Sequence, residues 1–231
     1  SILFTNGRLI DGALVDIAVQ NGLIAWIGSP TQSPVPCDTT IDLNDFIVSS
    51  PFVEPHAHLD KAFLADRISN PAGDLMGAIK GLEEVRSTIT HQDIVERATR
   101  AVKLMSQNGV TSIRTHADTT LSGGLSSVLA LLEVKENCSH FMNIQVAMLL
   151  EWPLTGTLGK ERQALARDAI SAGIDVIGGC PHLDPDPRGA VEFLLSLAID
   201  AHLPLDLHAD ENMRSGSTDL EHLADVVIRD N

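Results

Sequence analysis

Apolar and polar positions follow two different rhythms along this chain, and the change falls near residue 51. Residues 1–50 read as short strands. The stretch DIAVQNGLIAWIG is the clearest: residues 16–20 and 23–28 are apolar and β-prone, and Asn21-Gly22 lies between them. Asn-Gly is the preferred two-residue hairpin turn because both residues tolerate positive φ. The Pro/Ser/Thr-rich run SPTQSPVPCDTT (29–40) predicts a loop, and IDLNDFIV one or two further short strands.

From residue 51 short apolar runs alternate with amphipathic helical patterns. Strands are expected at 52–58, 111–115, 141–149, 176–179 and 204–208. Helices are expected at 93–108, 125–137, 160–172, 189–201 and 220–230. Thr90, three residues before Asp93, is a candidate N-cap, and Gly109 and Gly173 are candidate stops. Strict strand–helix alternation predicts α/β architecture with a parallel sheet. Five such units average ~36 residues, near the ~30 of a (β/α)8 TIM-type barrel. Either the sheet is open, or the chain carries about five units of a barrel whose last three are absent. The expected division is 1–50 and 51–231.

Composition narrows the partners. With 44% hydrophobic residues, 20% charged residues and 231 residues in all, the chain can bury a sizeable core. That core must be aliphatic, since aromatics are 3% and Tyr is absent. A net charge of −15 disfavours nucleic acid, which needs a basic surface. No apolar run reaches the ~20 residues of a membrane span. Cys37, Cys138 and Cys180 form no CxxC pair, which argues against a thiolate zinc site, and a reducing cytoplasm is the expected setting. The opening SILFTNGRL lacks a signal-peptide pattern.

The nine histidines are not scattered evenly. Four expected strands end PHAHLDK, RTHAD, GGCPHLDP and DLHADEN, each with a His followed closely by an acid. The carboxyl ends of parallel strands are where α/β folds build active sites. His91, His140, His202 and His222 fall instead in loops and helical patterns.

His56 and His58 sit i, i+2, so a strand turns both imidazoles to one side, where they can share a divalent metal. His208 is the natural third ligand. Three ligands with one open position is the catalytic arrangement. Glu211, three residues on, is the candidate acid/base, and Asp210 a structural hydrogen-bonding group. His116 and Asp118 read as alternative ligands, substrate contacts or, preferably, partners that steady a ligand from behind. His182 and Asp184 repeat that spacing more weakly. Lys61 serves either a substrate contact or a pair with a carboxylate.

With those residues in view, PFVEPHAHLDK resembles the strand-one metal motif of the cytosine deaminase-like branch of the amidohydrolase superfamily. VTSIRTHADTT, LLEVKENCSHFMNIQVAM, GIDVIGGCPHLDP and LPLDLHADEN resemble its following segments in collinear order. The N-terminal strands resemble part of the small β-sandwich that precedes its barrel, and HLDK is similar to relatives acting on aminotriazines. The resemblance implies one divalent metal, zinc or iron, on His56, His58 and His208, with Glu211 as proton shuttle. Metal-bound hydroxide would attack an amidine-like ring carbon and release ammonia or an amine. No Lys stands near 176–184 to bridge a second metal, which favours a mononuclear site.

Two departures carry consequences. Leu150 falls where cytosine deaminases carry a Gln that holds the pyrimidine edge, which removes the bond that would favour cytosine itself. Trp152 nearby either stacks on a flat ring or packs in the core. The family's strand-six His and strand-eight Asp have no counterpart before Asn231, and His222 lies in a helical pattern. The expectation is therefore a sequence shorter than its parent enzyme, with little turnover alone. The alternative is a catalytically incomplete metal-binding barrel fragment completed by missing strands or a partner, a dimer of complementing halves among them. An open α/β binding domain without metal is a third reading; the absence of GxGxxG or a P-loop speaks against nucleotide, and Gly123-Gly124 and Gly178-Gly179 do not supply one. The expected partner is a small heterocyclic substrate; nucleic acid and membrane are not expected, and a homo-oligomer stays open.

Overall fold

The computed structural model describes residues 1–30 and 35–230; residues 31–34 of the expected loop at 29–40 lie outside the described residues. The chain divides into two compact units, Ser1–Pro51 and Phe52–Asn231.

The first unit is a four-stranded sheet. Its strands are β1 (Ile2–Arg8), β2 (Leu14–Gln20), β3 (Leu23–Gly28) and β4 (Thr39–Asp42), in the order β3-β2-β1-β4. β1, β2 and β3 pair antiparallel, and β4 joins β1 in parallel. The β2–β3 hairpin turns on Asn21 and Gly22 at φ 51° and 76°, the positive values that select these residues. Val15, Ile17 and Ala18 on β2 are buried.

The second unit is α/β with a parallel sheet. β5 (Phe52–Ala57), β6 (Val110–Thr119) and β7 (Asn143–Leu150) pair in that order, all parallel. The helices are α1 (Leu75–Val85), α2 (His91–Gln107), α3 (Ser126–Cys138), α4 (Gly159–Ala172), α5 (Pro187–Ala201) and α6 (Asp219–Asp230). α2 shows why sequence makes helix here. The Thr90 side chain accepts from Asp93 N, and Ile94, Val95, Ala98, Ala101 and Val102 form one buried stripe. Asn108 caps the end, with Gly109 beyond it at φ 86°. Gly173 closes α4 at φ 98°. α5 starts two residues earlier than expected, because Pro187 fits the first turn and Asp186 accepts from Gly189 N.

The expected strands at 176–179 and 204–208 are corrected: they form isolated parallel bridges, not full strands. Backbone pairing nevertheless continues. Met148 N and Leu150 N donate to Val176 O and Gly178 O, and Asp206 N and His208 N donate to Ile177 O and Gly179 O. Gly178 explains the close approach. A Cβ there would stand 2.5 Å from Met148 O and 2.7 Å from Asp206 O, so only glycine lets both neighbours pair. β6 is also longer than expected, so His116 and Asp118 lie on the strand itself.

Two contacts fix the segment that follows β5. Buried Thr115 on β6 accepts from Leu59 N at 3.0 Å. Buried Arg97 on α2 donates Nη1 to Asp60 O and Ala62 O at 2.9 and 2.7 Å. The turn carrying His58, Asp60 and Lys61 is thereby tied to both a strand and a helix.

Candidate functional site

Four imidazoles meet at the carboxyl ends of the parallel segments. His56 lies on β5 and His58 just after it, His116 on β6, and His208 in the segment paired beyond residue 179. Their six centroid separations run from 4.5 to 5.4 Å. Ring nitrogens of His56, His58 and His208 lie within 4.8 Å of one another. His58 Nε2 and His208 Nε2 face each other at 3.2 Å. Two nitrogens bound tetrahedrally at 2.0–2.1 Å to one ion stand roughly 3.3 Å apart.

The electrostatics favour the neutral form of His58, His116 and His208. Burial, then Lys61, lowers His58 to about 3. Burial, then His208, lowers His116 to about 4. Burial, then His56, also lowers His208. A neutral imidazole offers a lone pair, which a metal requires. His58 Nδ1, His208 Nδ1 and both nitrogens of fully buried His116 have no hydrogen-bond partner among the described residues. Buried polar atoms are costly to leave unpaired. This donor set therefore fits a divalent cation.

Asp206 was missed in the sequence because it precedes His208 by two and looks like an ordinary strand acid. It forms a second candidate triad with His56 and His116. Its Oδ2 stands 3.9 Å from His116 Nε2 and accepts from Arg114 Nη1 at 2.8 Å. The strand period could have found it, since 206 and 208 share one side. Arg114 already occupies that oxygen, so Asp206 places negative charge beside the histidines.

A different order prevails at Lys61. Its Nζ pairs with Asp118 at 2.6 Å and with both oxygens of Asp60 at 3.1 and 3.2 Å. Arg86 pairs with Asp118 at 3.2 Å. Burial opposes the Lys61 charge, yet Asp118 and Asp60 outweigh it and hold the ammonium above its usual value. For Asp118, burial is likewise outweighed by Lys61 and Arg86, which lower it. Of the two roles open to Lys61, the carboxylate pair is the one present.

His182 donates Nδ1–H to the His208 carbonyl at 2.8 Å, since that oxygen can only accept. Asp184 accepts from Leu154 N and Thr155 Oγ1 and so anchors the 153–155 turn. Asp210 accepts from Ser217 Oγ, Asp219 N and Leu220 N, and thus fixes the start of α6. Glu211 is exposed and, among the described residues, carries no hydrogen bond or ion pair. It lines a cavity of about 420 Å³ with His58, His208, Lys61, Leu150 and Trp152. Leu150 is buried and Trp152 half-buried. Cys180 also lines the cavity, and burial, then Glu211, pushes its thiol up to about 12.

No family model matches the chain. It is 27% identical over 217 residues to a pterin deaminase of Rhizobium rhizogenes, covering 93% of this chain and 48% of that protein. It is 26% identical over 227 residues to an N-isopropylammelide isopropyl amidohydrolase of a Pseudomonas species, covering 94% and 54%. The structure of a 5-methylcytosine deaminase from Klebsiella pneumoniae, liganded with 5-fluorocytosine, superposes with a TM-score of 0.88 at 30% identity, covering 99% of this chain and 56% of that one. These relatives and structural neighbours are amidohydrolase-superfamily deaminases, and the chain is similar to them along 93–99% of its length. The chain spans about half the length of the curated relatives it matches. Among its described residues, no helix is long and apolar enough to cross a membrane.

Proposed function

We propose that this chain carries the metal-binding half of a hydrolytic deaminase acting on a heterocyclic amine of the aminopyrimidine or aminotriazine kind. The observation that carries the reading is the convergence of His56, His58 and His208 with their nitrogens within 4.8 Å, His58 and His208 being held toward the neutral form by burial. The relatives' substrates, a pterin, a cytosine and N-isopropylammelide, all present an amine on a flat ring, which supports it. The parallel segments are read as about five units of a (β/α)8 barrel spanning 51–231, and residues 1–50 as part of an N-terminal β-sandwich. The 0.88 TM-score supports that placement. The three free cysteines fit a reducing, cytoplasmic setting.

His56, His58 and His208 would hold one divalent ion, zinc or iron. When bound, it supplies Lewis acidity that polarises the substrate and eases deprotonation of water. The residues of the chain do the rest. Glu211, uncommitted and at the cavity edge, takes the proton of the attacking water and returns it to the amine nitrogen as the C–N bond breaks. His182 positions His208 through its carbonyl. His116, with Asp206 beside it, supports the ligand histidines from behind. Asp118 fixes Lys61 below them, and Leu150 and Trp152 face the ring.

Elemental analysis tests this reading. The chain is expected to hold about one equivalent of zinc or iron, lost when His56, His58 and His208 are all changed to Ala. Glu211→Gln is expected to keep the metal and lose ammonia release from an aminopyrimidine by about 10²–10⁴-fold. A metal-free chain after reconstitution would sink the proposal.

A further inference from the structure

Away from the histidines, most polar side chains that line the cavity are already engaged within the protein. Glu83 Oε1 accepts from Arg86 Nε at 2.7 Å, and its Oε2 accepts from Ser122 Oγ at 3.1 Å. Asp118 is held by Lys61 and Arg86. Glu151 accepts from Leu121 N at 2.7 Å and pairs with Arg162 at 3.2 Å. Thr120 Oγ1 accepts from Gly123 N at 3.0 Å. Among the described residues, Glu211 is the lining carboxylate left without a partner. A site that reads a ring by hydrogen bonds needs uncommitted donors and acceptors aimed at its edges. Here the remaining wall is apolar. Leu75, Ile79 and Leu82 sit i, i+4, i+7 on one face of α1, joined by Ile68, and Leu150 and Trp152 contribute from the end of β7 and just beyond it.

We propose that the ligand of this cavity carries an apolar substituent, alkyl or aryl, that lodges against the α1 wall, while Glu211 and the histidines engage its amine-bearing carbon. The inference rests on the reading of this cavity as a ring-amine site and names its substrate class: an apolar-substituted heterocyclic amine, in preference to a bare pyrimidine. The discrimination follows from area, each buried methyl adding about fourfold in affinity.

The test is equilibrium binding to the full, metal-free chain, followed by Trp152 fluorescence in a Trp26→Phe background. The probes are cytosine and its N4-isopropyl and 5-isopropyl derivatives. At least one alkyl derivative is expected to bind about tenfold or more tighter than cytosine. Ile79→Asn is expected to erase most of that gain. Leu75→Asn, at a more exposed position of the same wall, is expected to reduce it about threefold or more. Cytosine binding as tightly as both derivatives, a gain that survives both wall substitutions, or no binding by any probe each overturns the proposal. Absence of metal in the elemental analysis, with the alkyl preference intact, would instead sink the hydrolase reading alone.

Discussion

Two polar clusters share one cavity wall and obey opposite rules. In the Asp60–Lys61–Asp118–Arg86 cluster the charges are met by opposite charges at 2.6–3.2 Å. In the histidine cluster four rings crowd together, and most buried nitrogens have no partner among the described residues. The first cluster is closed and gains nothing from a ligand. The second is incomplete as it stands and is completed by one. That difference, more than the presence of histidines, separates a scaffold from a site.

The comparison breaks most visibly if the histidines behave as scaffold. His208→Ala is expected to lower zinc affinity by more than about a hundredfold, beyond the 10–100-fold that loss of an outer partner costs. Unfolding of the metal-free form should change by only about 1 kcal/mol, the worth of the 3.2 Å bond between His208 Nε2 and His58 Nε2. Chelator competition and urea titration on the same preparation read both quantities. Asp206→Asn should fall inside the 10–100-fold range. An unchanged affinity would show that its charge does not reach the ligands.

The closed cluster should respond in the reverse sense. Asp118→Ala leaves two cations facing each other without their shared carboxylate. With the Asp118 side chain only 11% exposed, breaking such a pair costs up to about 3–5 kcal/mol. Urea unfolding should show that loss, and zinc stoichiometry should survive wherever the chain is still folded. A loss below about 1 kcal/mol would mean the cluster is solvated like a surface pair.

Much of this was legible in the sequence, for identifiable reasons. Thr90, Gly109 and Gly173 marked helix ends because caps are local chemistry. The hairpin at Asn21-Gly22 followed from two residues that accept positive φ. HAH, RTHAD and DLHADEN brought attention to residues that the fold does gather. What was not legible depends on distant partners. Lys61 had two open roles, and only the approach of β6 with Asp118 decides between them. The reduction of 176–179 and 204–208 to isolated bridges depends on how their neighbours approach, and Gly178 admits that approach from both sides. Asp206 stayed hidden because an acid on a strand has no signature until Arg114 and His116 surround it.

Acid separates the clusters again. His58 and His116 fall from 6.5 to about 3 and about 4 on folding, so the folded state resists protons that the unfolded chain accepts. Their contribution is intact above pH 6.5 and is lost as pH falls toward those lowered values. The metal-free protein should lose about 1.4 kcal/mol per pH unit for each such group over that window. His58→Gln should flatten the slope. A stability independent of pH between 6.5 and 4.5 would mean the rings are better solvated than their burial implies.

The smallest effect lies between neighbouring carboxylates. Asp210 accepts from three donors and fixes the start of α6, whereas Glu211 accepts from none among the described residues. Asp210 therefore repeats the closed rule and Glu211 the open one, within a single peptide bond. Asp210→Ala removes an end contact of a helix, worth about 1 kcal/mol. Urea unfolding should register that, and zinc binding should not. Because Asp210 also pins the segment bearing Glu211, its loss should leave more conformations open to the Glu211 carboxylate. Any ammonia release should then fall through kcat with KM nearly constant, the signature of a proton-transfer group held less well and a binding wall left intact. A rise in KM alone would place Asp210 on the binding side instead.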